Sequence, residues 1–511
     1  MSLAILVSRA LYGFDALPVQ VEVHVGSGLP TFVIVGLPDT GVKESRERVR
    51  SALLSSGFEF PAGRITVNLA PADLPKDSGR YDLAIALGIL LATGQAPIPS
   101  WAEPADATGA YRLGSHVFVG ELSLTGRLGA VKGALAIAMA VARESPGSHL
   151  IMPPGNARVA AQVPGITVRT AACLRDVVDD FSGASPMPVQ QADEPVSSAE
   201  SKLCLSEVKG QVIARRALEI AASGAHSVLM HGPPGVGKSM LAQRLPGLLP
   251  PLSPVQSLEV AALHGLSGKD VTPMREPPFR APHHSASSAA LIGGGAWPRP
   301  GEISLAHRGV LFLDEIPEFR RHVLESLREP LETGSVTVAR ARMTCTFPAS
   351  FQLVAAMNPC PCGWSGHPRR PCSCPPARVQ AYRERLSGPL LDRIDLHVGL
   401  AATATEWMEG PAEEASAAVR QRVLKCRERQ LARQGCVNAL LNGAALHDYV
   451  VLDKESSVLL RSAIERWGWS ARVGHRLLRI ARTLADMEAA VDVHAGHLAE
   501  ALQFRPAWAS G

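Results

Sequence analysis

Apolar and polar residues alternate strictly along VQVEVHV, residues 19–25, and the alternation predicts a strand with one buried face. TFVIVGL, residues 31–37, reads the same way. Between such runs lie longer apolar stretches with helical spacing, YDLAIALGILLATG (81–94) and GALAIAMAVARE (133–144). Strand and helix signals in alternation predict an α/β domain over residues 1–181. The pattern then lapses. From Ser182 to Lys202 the chain is rich in Ser, Pro and Ala with no apolar period, so 182–205 is expected to be a linker. A second α/β unit is expected over 206–405. Its β-type runs SVLMHG (227–232), GVLFLDE (309–315) and FQLVAAMN (351–358) each end on polar groups. Ligands in α/β sheets bind at the C-terminal ends of strands. Residues 406–511 show helical spacing and little strand signal, so an all-α domain is expected there.

Composition narrows the class. The 511 residues are 46% hydrophobic and 19% charged, which suits a globular protein of several domains. A formal charge of +4 permits a nucleic-acid partner without demanding one, so local basic patches must carry that argument. No apolar run reaches membrane-spanning length, and the N-terminal MSLAILVSRALYGFD lacks a basic lead and a cleavage site. A cytoplasmic protein without a membrane partner is expected, and its nine cysteines should be reduced.

Gly232-Pro233-Pro234-Gly235-Val236-Gly237-Lys238-Ser239 fits G-x-x-x-x-G-K-[ST] between a strand-like and a helix-like run. Glycines let backbone N–H groups close on phosphate oxygens, and a helix N-terminus favours negative charge. Lys238 reaches the β/γ-phosphates and the Ser239 hydroxyl ligates Mg²⁺. ATP and Mg²⁺ are therefore the expected ligands. Asp314 and Glu315 end an apolar strand, a costly place for two carboxylates unless a cation or a proton transfer needs them. Asp314 would serve the Mg²⁺ shell and Glu315 would polarise the attacking water. Asn358, ending the next strand, could orient that water, or could simply form a turn before Pro359. Arg393 lies between two aspartates and suits either an arginine finger acting on a neighbour's nucleotide or a local pair with Asp392 or Asp395. Arg472 is a second candidate phosphate contact, against the alternative of a solvated helix face.

The order of these motifs, with RAPHHSASSAALIGGG (280–295), PGEISLAHRGVLFLDEIPEF (300–319), AAMNPCPCG (355–363) and GLPDTGVKESRERVRSAL (36–53), resembles magnesium-chelatase-like AAA+ ATPases, and within them the YifB/ComM family. The resemblance covers nearly the whole chain. It implies an AAA+ P-loop core with a C-terminal all-α lid and a ring, expected to be a hexamer, that hydrolyses ATP between subunits. For ComM members it implies a DNA helicase driving branch migration during natural transformation. The competing reading is an ATP-driven protein remodeller akin to the chelatase motor, although no aromatic-hydrophobic-Gly pore loop is present. The N-terminal domain resembles the ribosomal-S5-like fold of Lon-type proteases. There Lys132 matches the catalytic lysine, but Arg80 stands at the serine's place and Ser78 lies two residues early, so peptidase activity is not expected.

For DNA, the alternating SVTVARARMTCTF (335–347) predicts a β-hairpin with Arg340 and Arg342 at its tip. An edge hairpin carrying arginines for solubility is the alternative. Arg280, His283, His284 and Gly293–Gly295 lie on an insertion expected to project the same way. Arg422, Lys425, Arg429 and Arg433 share one helix face, and Lys43, Arg46, Arg48 and Arg50 form a second basic run; each is a DNA candidate or a solvated face. Finally, Cys360, Cys362, Cys372 and Cys374 are spaced C-x-C-x₉-C-x-C. A tetrahedral structural Zn²⁺, with His367 as substitute ligand, is expected ahead of four free thiols.

Overall fold

The computed structural model describes residues 3–104, 111–192, 203–268, 272–295, 297–340, 343–401 and 413–505. The chain forms two compact units, Met1–Val196 with Pro254–Met274, and Ser197–Ser253 with Arg275–Gly511.

The first unit is built on an eight-stranded mixed sheet. Its strands run in the order Thr167–Thr170, His149–Met152, Tyr111–Phe118, Leu3–Tyr12, Asp15–Gly26, Arg64–Ala70, Thr31–Val35, with Glu103–Pro104 beside Tyr111–Phe118. The alternation in VQVEVHV does what it predicts: Val19, Val21 and Val23 are fully buried. The helix Asp82–Ala92 is buried on every side, which is why it shows no polar face. Its first residue, Asp82, is a buried carboxylate held by Arg48 Nε at 2.7 Å, by the Ser45 hydroxyl and by the Leu122 N–H. Arg48 is thus committed internally and is not part of a basic face. Lys43, Arg46 and Arg50 are exposed, with Arg50 lying over the Phe60 ring. Where a Lon-type serine would stand, Arg80 is 1% exposed, donates to the Ser78 hydroxyl at 3.0 Å and pairs with Asp77. Lys132 is exposed.

One segment departs from the expected order. Pro254–Met274 falls inside the second α/β unit in sequence but belongs to the first unit in space. Its helix Pro254–Leu266 packs Leu258, Ala261 and Ala262 into the cluster formed by the helix Ala134–Glu144. Small residues on both helices allow the close approach.

The second unit has a five-stranded parallel sheet in the order Phe279–Arg280, Val310–Leu313, Gln352–Met357, Val228–His231, Leu396–Gly399. The first strand in sequence, Val228–His231, is fourth in the sheet, so the chain direction reverses beside it and opens a crevice at the strand C-termini. The C-terminal helices Ser416–Gln434, Lys454–Trp467, Ala471–Met487 and Ala495–Gln503 share one hydrophobic cluster with this sheet. A buried polar joint reinforces it. Asp395 accepts from the Ser227 N–H at 3.0 Å, pairs with Arg476 of the Ala471–Met487 helix and lies 3.5 Å from His226. Burial alone would raise the Asp395 carboxyl, but Arg476 and His226 outweigh it and hold the group well below the ordinary carboxylate range.

The basic stripe on Ser416–Gln434 is largely paired, although Arg422, Lys425 and Arg429 are exposed. Arg422 pairs with Glu219 and Glu414, Arg429 donates to the Asp486 carbonyl, and Arg433 pairs with Asp486 at 2.5 Å. Arg422, Arg429 and Arg433 thus fasten neighbouring elements to each other, Arg422 and Arg429 doing so from the surface.

Candidate nucleotide-hydrolysis site

The phosphate loop leaves Val228–His231 and enters the helix Lys238–Arg244. Gly235 and Gly237 sit at φ +79° and +93°, which a side chain would resist. Lys238 is 9% exposed, and its ammonium donates to the carbonyls of Gly232 (2.6 Å) and Pro233 (2.9 Å) and to Asn358 Oδ1 (3.0 Å). Burial lowers its pKa, with Asp314 and Glu315 opposing. Ser239 Oγ donates to Asp314 Oδ2 at 2.7 Å. These are the two oxygens a Mg²⁺ shell needs close together, so the residues fit that ion.

Glu315 follows Asp314 off the buried strand Val310–Leu313 in a left-handed conformation, φ +49°, and its N–H donates to Asp314 Oδ1. That backbone turn is costly for a non-glycine residue and swings the carboxylate out, half-exposed, at the crevice. The His284 ring lies 3.6 Å away, with Phe319 edge-on to that ring. Lys238, Ser239, Asp314, Glu315 and Asn358 thus converge at the C-termini of three adjacent strands.

Residues 204–408 match the family described as magnesium chelatase, subunit ChlI; residues 21–156 match subunit ChlI of Mg-chelatase; residues 413–505 match the ChlI C-terminal family. The chain is 45% identical to the competence protein ComM of Haemophilus influenzae, covering 99% of this chain and 98% of that one. It is 44% identical to YifB of Salmonella typhimurium over 99% and 97%. A magnesium-chelatase 38 kDa subunit of Cereibacter sphaeroides is 28% identical over 30% of this chain. The chain belongs to the YifB/ComM family of magnesium-chelatase-like AAA+ proteins.

Membership of this ATPase family implies ATP and Mg²⁺ as ligands. Two further arginines behave differently from expectation. Arg393 is 6% exposed; it pairs with Glu332 at 2.7 Å and donates to the Pro389 carbonyl. Its partner is neither Asp392 nor Asp395 but Glu332, whose side chain is half-exposed. Arg472 is exposed on the first turn of Ala471–Met487 and takes no part in the Lys238 network, while Arg476, one turn on, is the residue tied to Asp395.

The expected hairpin is present in this YifB/ComM chain. Ser335–Arg340 pairs with Met343–Pro348, burying Val336, Val338, Cys345 and Phe347 on one face. Arg340 is exposed near the turn; Arg342 lies outside the described residues. In the glycine run it is Gly293 that the backbone requires, at φ +110° with a Cβ meeting the Arg299 carbonyl at 2.3 Å, while at Gly294 only the flexible end of Arg340 lies close. Arg280 is not free for DNA, being held by both oxygens of Glu302 at 2.6 Å. His283 and His284 stack at 4.1 Å and form no metal cluster among the described residues.

The four cysteines 360–374 converge, their sulfurs all within 4.8 Å of one another. His367 is turned away, its Nδ1 accepting from the N–H groups of Arg369 and Arg370. Sequence reasoning passed over Tyr382. It is 5% exposed, its hydroxyl meets the backbone of Asn358, and burial pushes its pKa up to about 12.

Proposed function

We propose that this protein is an ATP-hydrolysing AAA+ ring motor that moves DNA, acting in the cytoplasm as a hexamer to promote branch migration of recombination intermediates during natural transformation. The convergence of Lys238, Ser239, Asp314, Glu315 and Asn358 on one crevice carries the hydrolytic half. Lys238 exchanges its carbonyl partners for phosphate oxygens. Ser239 and Asp314 would hold a Mg²⁺, which would supply positive charge against the phosphates. Glu315 takes the proton side of the attacking water and Asn358 orients that water.

Arg340 supports the DNA half, since an exposed guanidinium on a rigid hairpin suits a phosphate backbone. The name of the Haemophilus relative supports the setting. The chelatase-like remodeller reading has the three ChlI family matches and a shorter, more distant relative in its favour. Among the described residues no helix is long and apolar enough to cross a membrane.

The deciding experiment is an ATP-driven branch-migration assay on a four-way junction, with Lys238→Ala as control. Wild type should migrate the junction and Lys238→Ala should not. Absence of both migration and DNA-stimulated hydrolysis at low salt would remove the DNA reading. Arg340→Ala should weaken junction binding while leaving DNA-free hydrolysis unchanged. If Arg340 neutralises one phosphate, the slope of log K against log salt falls by about 1.

A further inference from the structure

Between Asn358 and the helix Pro376–Arg383 the chain makes a long excursion that contains all four clustered cysteines. The described stretch 358–375 has neither strand nor helix. A loop of that length without regular structure needs something to hold its shape. Its only dense feature is the sulfur cluster. Cys360 Sγ lies 3.3 Å from Cys362 Sγ and 3.6 Å from Cys372 Sγ, and Cys362 lies 3.6 Å from Cys372. A tetrahedron with Zn–S arms of 2.3 Å has edges of about 3.8 Å. The cluster therefore already has nearly the dimensions of a Zn(S)₄ centre, and is far too open for a disulfide. Backbone N–H groups point at the sulfurs, from Ser365 to Cys360 at 3.3 Å and from Cys374 to Cys372 at 3.4 Å. Four soft sulfur ligands in this geometry select Zn²⁺ or a comparable thiophilic ion.

The excursion touches the nucleotide site at three places. Gly363, at φ +83°, turns the loop against the phosphate loop; a Cβ there would stand 2.8 Å from Pro234 Cδ. Asn358, where the excursion starts, accepts from Lys238. Tyr382, in the helix where it ends, meets the backbone of that same Asn358. The loop is thus closed at its base by Tyr382 and pressed at its first turn on Pro234.

We propose that Cys360, Cys362, Cys372 and Cys374 bind one structural Zn²⁺, and that the metal-closed loop forms a wall of the phosphate pocket, so that metal occupancy sets nucleotide affinity. The coupling rests on the ATP-site reading above; the metal site does not. Without the ion, Gly363 is no longer held on Pro234 and Asn358 loses the frame that presents it to Lys238.

The test uses full-length protein purified under reducing conditions without added chelator. Zinc is counted by elemental analysis and affinity is measured with a fluorescent ADP analogue. Wild type should carry one zinc per chain. The Cys372→Ser/Cys374→Ser variant should lose the zinc and bind the analogue about tenfold more weakly or worse. Gly363→Ala leaves all four sulfur ligands in the chain. It should keep the zinc yet bind the analogue more weakly, and it guards against a double variant that merely misfolds. A wild type without zinc that binds nucleotide fully would overturn the metal site. Zinc-free and Gly363→Ala proteins with unchanged affinity would overturn the coupling. A zinc-loaded wild type that binds no nucleotide would instead defeat the ATP-site reading and the coupling with it, leaving the metal site standing.

Discussion

Glu315→Gln is expected to bind ATP with Mg²⁺ as wild type does and to hydrolyse it about a hundredfold or more slowly. The substitution is nearly isosteric, so the left-handed backbone and its hydrogen bond to Asp314 should persist. Lys238, Ser239 and Asp314, which hold the nucleotide and its ion, are untouched. Only the basic carboxylate is lost, and an amide cannot accept the proton of an attacking water. The contact with His284 changes too, but it is half-exposed and does not set the scale. Phosphate release measured beside binding of a fluorescent ATP analogue separates the two effects. Normal turnover would remove Glu315 from its role; weakened binding would mean that it serves the ion instead.

Asp395→Ala should be among the most damaging single changes to stability. The carboxylate is 3% exposed and ties the strand-entry residue Ser227 to Arg476 of a C-terminal helix. Its removal strands a largely buried guanidinium and a buried N–H, which costs about 3–5 kcal/mol. Urea unfolding followed by hydrogen exchange on the strands Val228–His231 and Leu396–Gly399 reads this directly. The exposed Asp448, changed to Ala, should shift the same transition by less than about 0.5 kcal/mol. The pH dependence has a fixed sign. Because the folded pKa is depressed, the stabilisation is complete above the unfolded value of about 3.9 and drains away as pH falls below it. Asp395→Ala and wild type should therefore converge in stability toward acid.

Much of the site was legible because its chemistry is local. A phosphate loop needs glycines beside Lys238 in an unbroken run, and the carboxylates and the amide sit at the ends of apolar strands whose pattern announces them. The hairpin likewise follows from alternation in Val336, Val338, Cys345 and Phe347. What sequence did not give depends on partners distant in the chain. Nothing beside Arg393 announces Glu332, and nothing in the stripe Arg422–Arg433 announces Glu219 or Asp486. A basic helix face looks the same on paper whether water or carboxylates cover it. Tyr382 was hidden for a related reason, since its value lies in reaching back across the cysteine loop. The helix Pro254–Leu266 shows the limit most clearly: its apolar face is obvious, but periodicity cannot say which body it will complete.

That helix also changes what it would take to separate the two halves of the protein. The chain passes between the units three times, at 196/197, 253/254 and 274/275, and not once. A protease nick in the 182–205 stretch opens only the first passage. The fragments stay threaded together, because the C-terminal piece still owns a helix that fills the N-terminal core. Conversely, a stop codon placed at the linker yields an N-terminal piece with an open apolar slot where Leu258, Ala261 and Ala262 belong. The linker looks like a seam, but the protein does not come apart there.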